Sequence, residues 1–313
     1  MNRYGAEREP FMFIVDFDMK SPEIHKLNSI PSGIKFLTPL LSNVCPRQIY
    51  TKAYSLKKHP VSFSTYLKSF ENVRSNIELG NSYLLNLTFP TVIEIDLTLE
   101  DIFFSSASKY KLLYYNQFVV FSPEIFVRIS DGKIKSFPMK GTIDASENSA
   151  ENVILNDEKE IAEHNTIVDL IRNDLSIFAD EVRLNRFRYI DEIKTKDKVL
   201  LQVSSEISGR MRKGYESQLG EIIIGMLPAG STTGAPKKET VRIIKESEIY
   251  ERGWYTGIFG VFDGKNLDSA VMIRFIENES GRFFFKSGGG ITYLSDPLKE
   301  YEELISKIYV PIG

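Results

Sequence analysis

Cysteine is nearly absent from this chain of 313 residues, in which Cys45 stands alone. A single thiol excludes an internal disulfide and a metal site built from cysteines, which is typical of proteins kept in a reducing compartment. No apolar run approaches the ~18 residues that a membrane-spanning helix needs. The opening MNRYGAEREP also lacks the apolar core of a signal peptide. We therefore expect a cytoplasmic protein without a membrane partner.

An excess of charge of one sign is also lacking. The chain has 39 Lys and Arg residues against 42 Asp and Glu residues, which gives a net charge of −3. Proteins that bind nucleic acid usually carry a basic surplus, so we expect no nucleic acid as partner. Hydrophobic residues make up 42% and charged residues 26% of the chain, as in an ordinary globular enzyme.

The length is compatible with one large core or two modest domains. Residues 11–17 and 34–37 have the composition of strands, and residues 61–79 have the apolar spacing of a helix that Gly80 ends. We place a boundary at residue 60. Residues 1–60 are predicted to form a short N-terminal strand segment packed on the core, and residues 61–313 the main domain.

Residues 122–142, SPEIFVRISDGKIKSFPMKGT, predict a β-hairpin. Asp131-Gly132 is a strong two-residue turn between two runs with apolar alternation. A turn of this length pairs Ser130 with Lys133.

Continuing that pairing places Glu124 opposite Met139, beside Lys140, so that an acid and an amine become neighbours. Strict alternation would put Lys140 on the opposite face. Pro138 predicts a bulge or strand end that can turn the lysine back. Taken alone, the segment favours an ordinary solvent-exposed hairpin with charged ends.

Two helices carry paired glutamates. Residues 157–179 form the first, in which Glu160 and Glu163 lie one turn apart. A plain alternative makes Glu160 part of a capping box begun by Asp157. Asp296-Pro297 starts the second helix.

The second helix presents Glu300, Glu303 and Lys307 on adjoining positions. Its plain alternative is an ordinary Glu303–Lys307 pair worth only ~0.2–0.5 kcal/mol.

The last third contains two glycine-rich segments among predicted strands. GSTTGAPK at residues 230–237 precedes a helix, and backbone N–H groups at a helix start suit an anionic ligand. Residues 256–262, 267–277 and 282–286 are predicted strands. Gly288-Gly289-Gly290 follows them, and it is either a flexible turn or a place where bare backbone approaches a ligand.

In combination these segments resemble the chorismate-utilising enzymes. PMKGT at residues 138–142 is similar to the family's P-I-K-G-T motif in the version carried by aminodeoxychorismate synthase component I. Anthranilate and isochorismate synthases usually have alanine where Lys140 stands. KEIAEH at residues 159–164, GSTTGAPK, and EYEE-x-x-x-K at residues 300–307 match further motifs in the family's order. The resemblance covers roughly residues 60 to 311.

The resemblance implies an α+β fold of two facing, mostly antiparallel β-sheets flanked by helices, with a shortened N-terminal region. It also implies a catalytic pair and a magnesium site. Glu124 is expected to act as general acid and later as base, and Lys140 as nucleophile. The resemblance favours Glu163 and Glu303 as direct Mg²⁺ ligands, and it makes the other two metal-site glutamates, Glu160 and Glu300, outer ones.

The resemblance further implies a set of substrate-binding residues. Tyr255 and Arg274 are expected to hold the enolpyruvyl carboxylate, and the glycine run the ring carboxylate beside the metal. The full set is Thr142, Ser231, Tyr255, Arg274, Gly288, Gly289, Gly290 and Lys307.

The implied reaction converts chorismate and ammonia to 4-amino-4-deoxychorismate, a precursor in folate synthesis. Because the chain shows no cysteine nucleophile in a glutaminase setting, a separate glutamine amidotransferase subunit is the expected source of ammonia. The alternatives are anthranilate synthase component I and isochorismate synthase. Lys140 argues against both, and Leu84 stands where isochorismate synthases place a base lysine. A more remote alternative is a non-catalytic, chorismate-binding regulatory subunit.

The protonation state of Lys140 is left open by the sequence. Its reference pKa is about 10.4, so attack at neutral pH requires a lower pKa or a nearby base. Burial lowers the pKa of an amine, whereas an ionised Glu124 beside it raises that pKa.

Overall fold

A computed structural model describes the chain at residues 1–45, 54–194 and 199–311. It has the expected α+β architecture, with two antiparallel sheets flanked by helices. The helices in the described ranges are α1 (Asn2–Ala6), α2 (Phe63–Glu78), α3 (Leu99–Ser105), α4 (Ala150–Asn156), α5 (Glu158–Phe178), α6 (Leu219–Gly225), α7 (Gly230–Thr233), α8 (Lys237–Ser247) and α9 (Pro297–Ser306). Of these described helices, none is long and apolar enough to cross a membrane.

The strands in the same ranges alternate with these helices along the chain. They are β1 (Phe11–Val15), β2 (Glu23–Lys26), β3 (Ile34–Leu37), β4 (Leu56–His59), β5 (Leu84–Ile95), β6 (Tyr110–Tyr114), β7 (Phe118–Ser122), β8 (Ile125–Ser130), β9 (Lys133–Ser136), β10 (Met139–Asp144), β11 (Ala179–Lys194), β12 (Val199–Met211), β13 (Gly234–Ala235), β14 (Ile258–Phe262), β15 (Leu267–Val271), β16 (Phe275–Glu279) and β17 (Arg282–Ile291).

The two sheets are interleaved along the sequence. The first sheet runs in the order β10-β12-β9-β8-β15-β14-β1-β2, with β11 also paired to β12. The second runs β13-β5-β17-β16-β7-β6-β3, with β4 also paired to β5. The N-terminal 60 residues therefore contribute strands to both sheets, β1 and β2 to the first and β3 and β4 to the second.

Strand β1 shows how the layers are packed, because all five of its residues are buried. Successive side chains of a strand point to opposite faces. Phe11 and Phe13 join the core between the first sheet and helices α5 and α6. Met12 and Ile14 join the core between the two sheets, where they meet residues such as Phe118 of β7. The first sheet is thus covered on both faces.

The second sheet is covered by helices on its outer face. Apolar residues of β5, including Leu85 and Phe89, pack with the apolar stripes of α2, α8 and α9. Ser62 caps α2 by accepting from the Thr65 backbone N–H, and Gly80 follows the helix in the left-handed region at φ +77°. The predicted helix at residues 61–79 is confirmed.

The predicted hairpin turn is confirmed, but the predicted pairing of the two strands far from the turn is not. Ser130 pairs with Lys133 as expected. However, β9 ends at Ser136, and the next strand, β10, pairs with β12 instead of β8. Glu124 and Met139 are therefore not opposite one another, and that prediction was wrong. Pro138 separates two strands that follow one another along the same edge of β12.

The predicted strand at residues 267–277 is two strands in different sheets. β15 belongs to the first sheet and β16 to the second, and the chain changes sheets at residues 272–274. The chain also passes from the second sheet to the first at residues 123–124, between β7 and β8. The two crossings are hydrogen-bonded to each other, from Val271 N to Glu124 O at 3.1 Å and from Phe121 N to Arg274 O at 3.0 Å.

Candidate active site

Two predicted functional residues, Glu124 and Arg274, lie at the crossings between the sheets. Arg274 adopts φ +52°, which is uncommon outside glycine, because the chain changes direction there. Its guanidinium stacks on Tyr309, 4.9 Å from the ring centre, and donates to the Lys307 carbonyl. Its buried Nε has no hydrogen-bond partner among the described residues. A buried donor without a partner is suited to an anionic ligand.

Lys140 reaches the same cleft because of a bulge in β10. The register against β12 shifts between Lys140 and Thr142, and Gly141 adopts φ +74° there. Of the two features predicted at Pro138, the strand end is present, because β9 ends at Ser136 and β10 starts at Met139, and the bulge lies three residues later. A glycine suits this position because it tolerates positive φ without strain. Lys140 Nζ donates to Glu163 Oε2 at 2.7 Å, so its direct partner is Glu163 and not Glu124.

The two acidic helices converge as predicted. Asp157 caps α5 by accepting from the Glu160 backbone N–H, and Asp296 caps α9 in the same way with Pro297 in the first turn. Glu163 and Glu300 are each only 2% exposed. Two carboxylates buried to this degree are costly unless cations compensate them.

Lysines provide the charge compensation for this acidic cluster. Lys159 Nζ lies 2.5 Å from Glu300 Oε1 and 3.4 Å from Glu163 Oε1, so it bridges the two helices. Lys307 Nζ lies 2.6 Å from Glu303 Oε1 and also donates to the Gly288 carbonyl. The ordinary Glu303–Lys307 pair is therefore present, and it is part of the cluster.

The pKa values of these groups follow from burial and neighbouring charge. Burial opposes the charge on Lys140, but Glu163, Glu160 and Glu303 outweigh it and raise the pKa of the amine. Burial, followed by the charge of Glu163, raises the pKa of Glu160. Glu303 differs, because Lys307 and other lysines overcome its burial and lower its pKa to about 2. In the ligand-free chain Lys140 is therefore an ammonium group.

The cluster satisfies the basic chemical requirement of a hard cation, which is carboxylate oxygen with free lone pairs. Buried atoms Glu160 Oε2, Glu163 Oε1 and Glu300 Oε2 have no hydrogen-bond partner. In the described part of the chain no three Asp, Glu, His or Cys side chains are already arranged to hold a metal ion by themselves. Magnesium does not need such a set, because it is usually held by one or two carboxylates together with waters and substrate oxygens. The residues present fit Mg²⁺ on these grounds.

The glycine run is part of strand β17 and not a turn. Gly288, Gly289 and Gly290 pair with β5, so the strand continues past the predicted end at residue 286. A Cβ at Gly290 would lie 2.5 Å from Glu163 Oε2 and 3.0 Å from Lys140 Nζ. Only glycine leaves room here, and the bare backbone therefore forms one wall of the cleft.

Glu124 is held by Ser231, whose hydroxyl donates to Glu124 Oε1. Burial raises the pKa of Glu124, and it outweighs the Ser231 hydrogen bond and the charges of Lys140 and Arg274. Glu124 therefore retains a proton to higher pH than an ordinary glutamate does. Its position satisfies a requirement of a general acid.

Tyr255 and Thr142 occupy different environments. Tyr255 is 3% exposed, and burial raises the pKa of its hydroxyl, which lies within electrostatic range of Arg274 and Glu124. Thr142 lies on the exposed side of β10, 3.5 Å from the Gln202 amide. Of the predicted residues, Thr142 is the most solvent-exposed.

Leu84, which the sequence analysis used to separate family branches, lines the cleft. A Cβ at Gly290 would lie 3.1 Å from its Cδ1, so Leu84 lies beside Lys140 and Glu163 on the same side of the glycine strand. It is 2% exposed and contributes no proton-transfer group.

Sequence reasoning assigned no role to three residues that the structure places at or behind the site. Lys159 bridges the acidic helices, and its i, i+4 spacing to Glu163 could have revealed it. Arg252 is buried in a two-pronged pair with Glu248, again at i, i+4, and donates to the Thr232 and Asn86 carbonyls.

The third is His164, which follows Glu163 in the sequence. It is 1% exposed and exchanges a 2.6 Å hydrogen bond with Ser205. Burial, followed by the charge of Arg188, lowers its pKa to about 4.

Comparison with known proteins assigns the family. The chain matches the chorismate binding enzymes over residues 23–313, and it belongs to that family. A Haemophilus influenzae protein named as an uncharacterized PabA-like protein is 50% identical over 314 residues, covering 99% of this chain and 95% of the relative.

Aminodeoxychorismate synthase component 1 of Bacillus subtilis is 30% identical over 265 residues, covering 80% of this chain and 55% of that protein. Among solved structures, anthranilate synthase component I from Streptococcus pneumoniae superposes with a TM-score of 0.72 at 21% identity, covering 98% of this chain and 84% of that one. The solved structure shows the shared fold and does not distinguish between the reactions of the family.

Proposed function

We propose that this protein is aminodeoxychorismate synthase component I, which aminates chorismate at C4. The single observation that carries the proposal is the position of Lys140. Its ammonium group lies in the cleft, 2.7 Å from Glu163 and against the glycine strand, where alanine would leave a space. The charge of Lys140 also acts on Glu124, so the amine and a carboxyl group with a raised pKa lie within electrostatic range of each other.

In the proposed reaction the Lys140 amine attacks C2 of chorismate, both ring double bonds shift, and the C4 hydroxyl leaves as water with a proton from Glu124. Ammonia then adds at C4 and gives a proton back to Glu124, both double bonds return, and the bond between C2 and the lysine breaks. Because Lys140 is an ammonium in the free chain, it must first lose a proton. Glu163 Oε2, 2.7 Å away, is the acceptor within reach.

Charge balance supports a role for magnesium beside the substrate. Four glutamates (Glu160, Glu163, Glu300 and Glu303) and three lysines (Lys140, Lys159 and Lys307) together leave one net negative charge. A substrate dianion would be repelled by such a cluster. We propose that Glu163 and Glu303 would be the direct ligands of Mg²⁺ and Glu160 and Glu300 the outer ones, and that the ion would supply positive charge for the ring carboxylate.

The remaining polar groups of the cleft suit the second carboxylate. Arg274 has a buried Nε without a partner, and Tyr255 lies within electrostatic range of it. A guanidinium holds a carboxylate in a two-pronged geometry that a lysine cannot offer. We assign these two residues to the enolpyruvyl carboxylate. The hydroxyl of Ser231 donates a hydrogen bond to Glu124 and so holds the Glu124 carboxyl group in position.

The test of the function is product identity. The purified chain with chorismate, Mg²⁺ and an ammonium salt at alkaline pH should yield 4-amino-4-deoxychorismate, identified by chromatography and mass. A 2-amino product or anthranilate would refute the branch, because Lys140 would then not determine where nitrogen is added. Chorismate binding without any magnesium-dependent turnover would support the non-catalytic alternative.

We also propose that ammonia is supplied by a separate glutamine amidotransferase subunit. Cys45, the one cysteine of the chain, is exposed in the structure. The chain alone should use ammonium salts and not glutamine, and adding the amidotransferase should confer glutamine-dependent turnover. Glutamine use by the purified chain alone would contradict this division of labour.

A further inference from the structure

Lys159 occupies the centre of the acidic cluster, although no role in the reaction requires it. Its ammonium group lies 2.5 Å from Glu300 Oε1, 3.4 Å from Glu163 Oε1 and 3.9 Å from Glu303 Oε2. One amine thus touches three of the four glutamates proposed to bind magnesium, and it connects helix α5 with helix α9.

The position of Lys159 is unfavourable for helix α5 itself. The helix begins at Glu158, so Lys159 lies in its first turn. A cation near a helix N-terminus opposes the helix dipole. The carboxylates of Glu163 and Glu300, each 2% exposed, are therefore the groups that keep the ammonium in this place.

Lys159 compensates charge in this cluster but leaves lone pairs unused. Glu300 Oε2 and Glu160 Oε2 remain buried without a hydrogen-bond partner, and Glu163 Oε1 has only the 3.4 Å ion pair with Lys159 and no hydrogen bond. Unsatisfied buried oxygens are costly, and a divalent ion with its waters would satisfy more of them than one ammonium does. The Lys159 side chain is 26% exposed, so it has a path towards solvent.

We propose that Lys159 is an internal cation that holds the acidic cluster together in the metal-free protein and competes with magnesium for it. The inference rests on the magnesium site of the proposed function. Lys159 then limits the affinity of the cluster for Mg²⁺, and metal binding moves the Lys159 side chain out of the cluster.

The direct test is calorimetric titration of Mg²⁺ into protein stripped of metal by a chelator, without substrate. Lys159→Met removes the charge and keeps the length of the side chain. We expect its Mg²⁺ dissociation constant to be about tenfold lower than that of the wild type, on the scale of charge effects within a protein. Lys299→Met, an exposed lysine next to Glu300, is the matched control and should bind like the wild type.

A second readout uses the wild-type chain, so it does not depend on the variant folding. Amine-reactive labelling followed by peptide mass spectrometry compares the modification of Lys159 with and without Mg²⁺. Displacement predicts several-fold faster labelling of Lys159 when Mg²⁺ is present, with Lys299 unchanged as the internal reference.

The outcomes separate this inference from the proposed function. Equal Mg²⁺ affinity in the wild type and Lys159→Met, or labelling of Lys159 that magnesium slows or leaves unchanged, would overturn the role of Lys159 and leave the magnesium site intact. Absence of Mg²⁺ binding by the wild type, even with chorismate present, would remove the magnesium site and this inference together.

Discussion

Among single residues, Glu124 has the most specific proposed role, that of the general acid. Burial raises the pKa of Glu124, so its carboxyl remains protonated in conditions where an ordinary glutamate is ionised. Glu124→Gln keeps the shape and removes the transferable proton. We expect kcat to fall by about 10²- to 10⁴-fold, the usual contribution of a general acid, with the chorismate dissociation constant nearly unchanged.

The control for that substitution is Glu94→Gln, an exposed glutamate on β5 paired with Lys57 and His59. Its activity should equal that of the wild type. A kcat of Glu124→Gln within threefold of the wild type, measured with saturating ammonium, would exclude Glu124 as the acid.

The lowered pKa of His164 predicts how the free energy of unfolding changes with pH. Its pKa is about 4 in the folded chain against about 6.5 in an unfolded one, so the unfolded state binds the proton first as pH falls. This group therefore destabilises the fold progressively below about pH 6.5, and the effect is complete near pH 4. Between pH 7 and pH 5 we expect it to remove about 2 kcal/mol of the free energy of unfolding.

The measurement is denaturant unfolding at both pH values in metal-free buffer. His164→Gln should lose less stability than the wild type on acidification, whereas His59→Gln, at an exposed position, should behave like the wild type. An equal loss in all three proteins would show that His164 is not the group responsible.

The sequence placed on their elements those candidate site residues that have local signatures. Asp157, Asp296 and the glutamates of both helices could be placed because caps and helical spacing are visible within one turn, whereas a metal-binding role was expected only from the resemblance to the family. The hydrogen-bond partner of Lys140 was not predicted, because Glu163 lies on another element and the bulge at Gly141 determines the direction of the amine. The i, i+4 spacing between Lys159 and Glu163 was visible in the sequence, but such a spacing does not distinguish a lysine that bridges two helices from an exposed one.

Among the elements, strand β17 has a stringent geometric requirement. A Cβ at Gly290 would stand 2.5 Å from Glu163 Oε2, whereas one at Gly289 would stand 3.3 Å from Glu300 Oε2. Gly290→Ala should therefore displace Glu163 and Lys140 and lower kcat/KM by about 10²-fold, the effect of an error of about 1 Å in a catalytic group.

Gly289→Ala is the matched comparison on the same strand, and we expect it to lower kcat/KM less than tenfold. Both are measured by chorismate consumption with saturating ammonium. Equal losses in the two variants would mean that contact with Glu163 and Lys140 is not what requires the glycine.

The strand that changes sheets shows why element boundaries were harder to predict than element types. Residues 267–277 were predicted as one strand, and in the structure β15 is fully buried and β16 is buried at Phe275 and Ile276. Because sheets covered on both faces give strands without alternation, nothing in the pattern marks the crossing at Arg274. The end of β17 was missed for a related reason, since glycine is depleted in strands generally.

In the whole molecule, the two-sheet architecture was expected from the resemblance to a family, not from the residues alone. Local patterns placed most strands, but pairings such as β10 with β12 join residues about sixty positions apart and depend on the complete fold. The continuation of the hairpin beyond Pro138 was predicted wrongly for this reason. The consequence is functional, because the pairing with β12 carries Lys140 to the acidic helices.

The proposed function depends most on Lys140 as the nucleophile, and one measurement tests this role directly. The chain is mixed with chorismate and Mg²⁺ in the absence of ammonia, quenched in acid, and analysed by intact and peptide mass spectrometry, with Lys140→Ala as the control. We predict an increase equal to chorismate less one water, located on Lys140 and absent from the variant. Unmodified Lys140 in a chain that still forms 4-amino-4-deoxychorismate, or an adduct on another residue, would contradict the account.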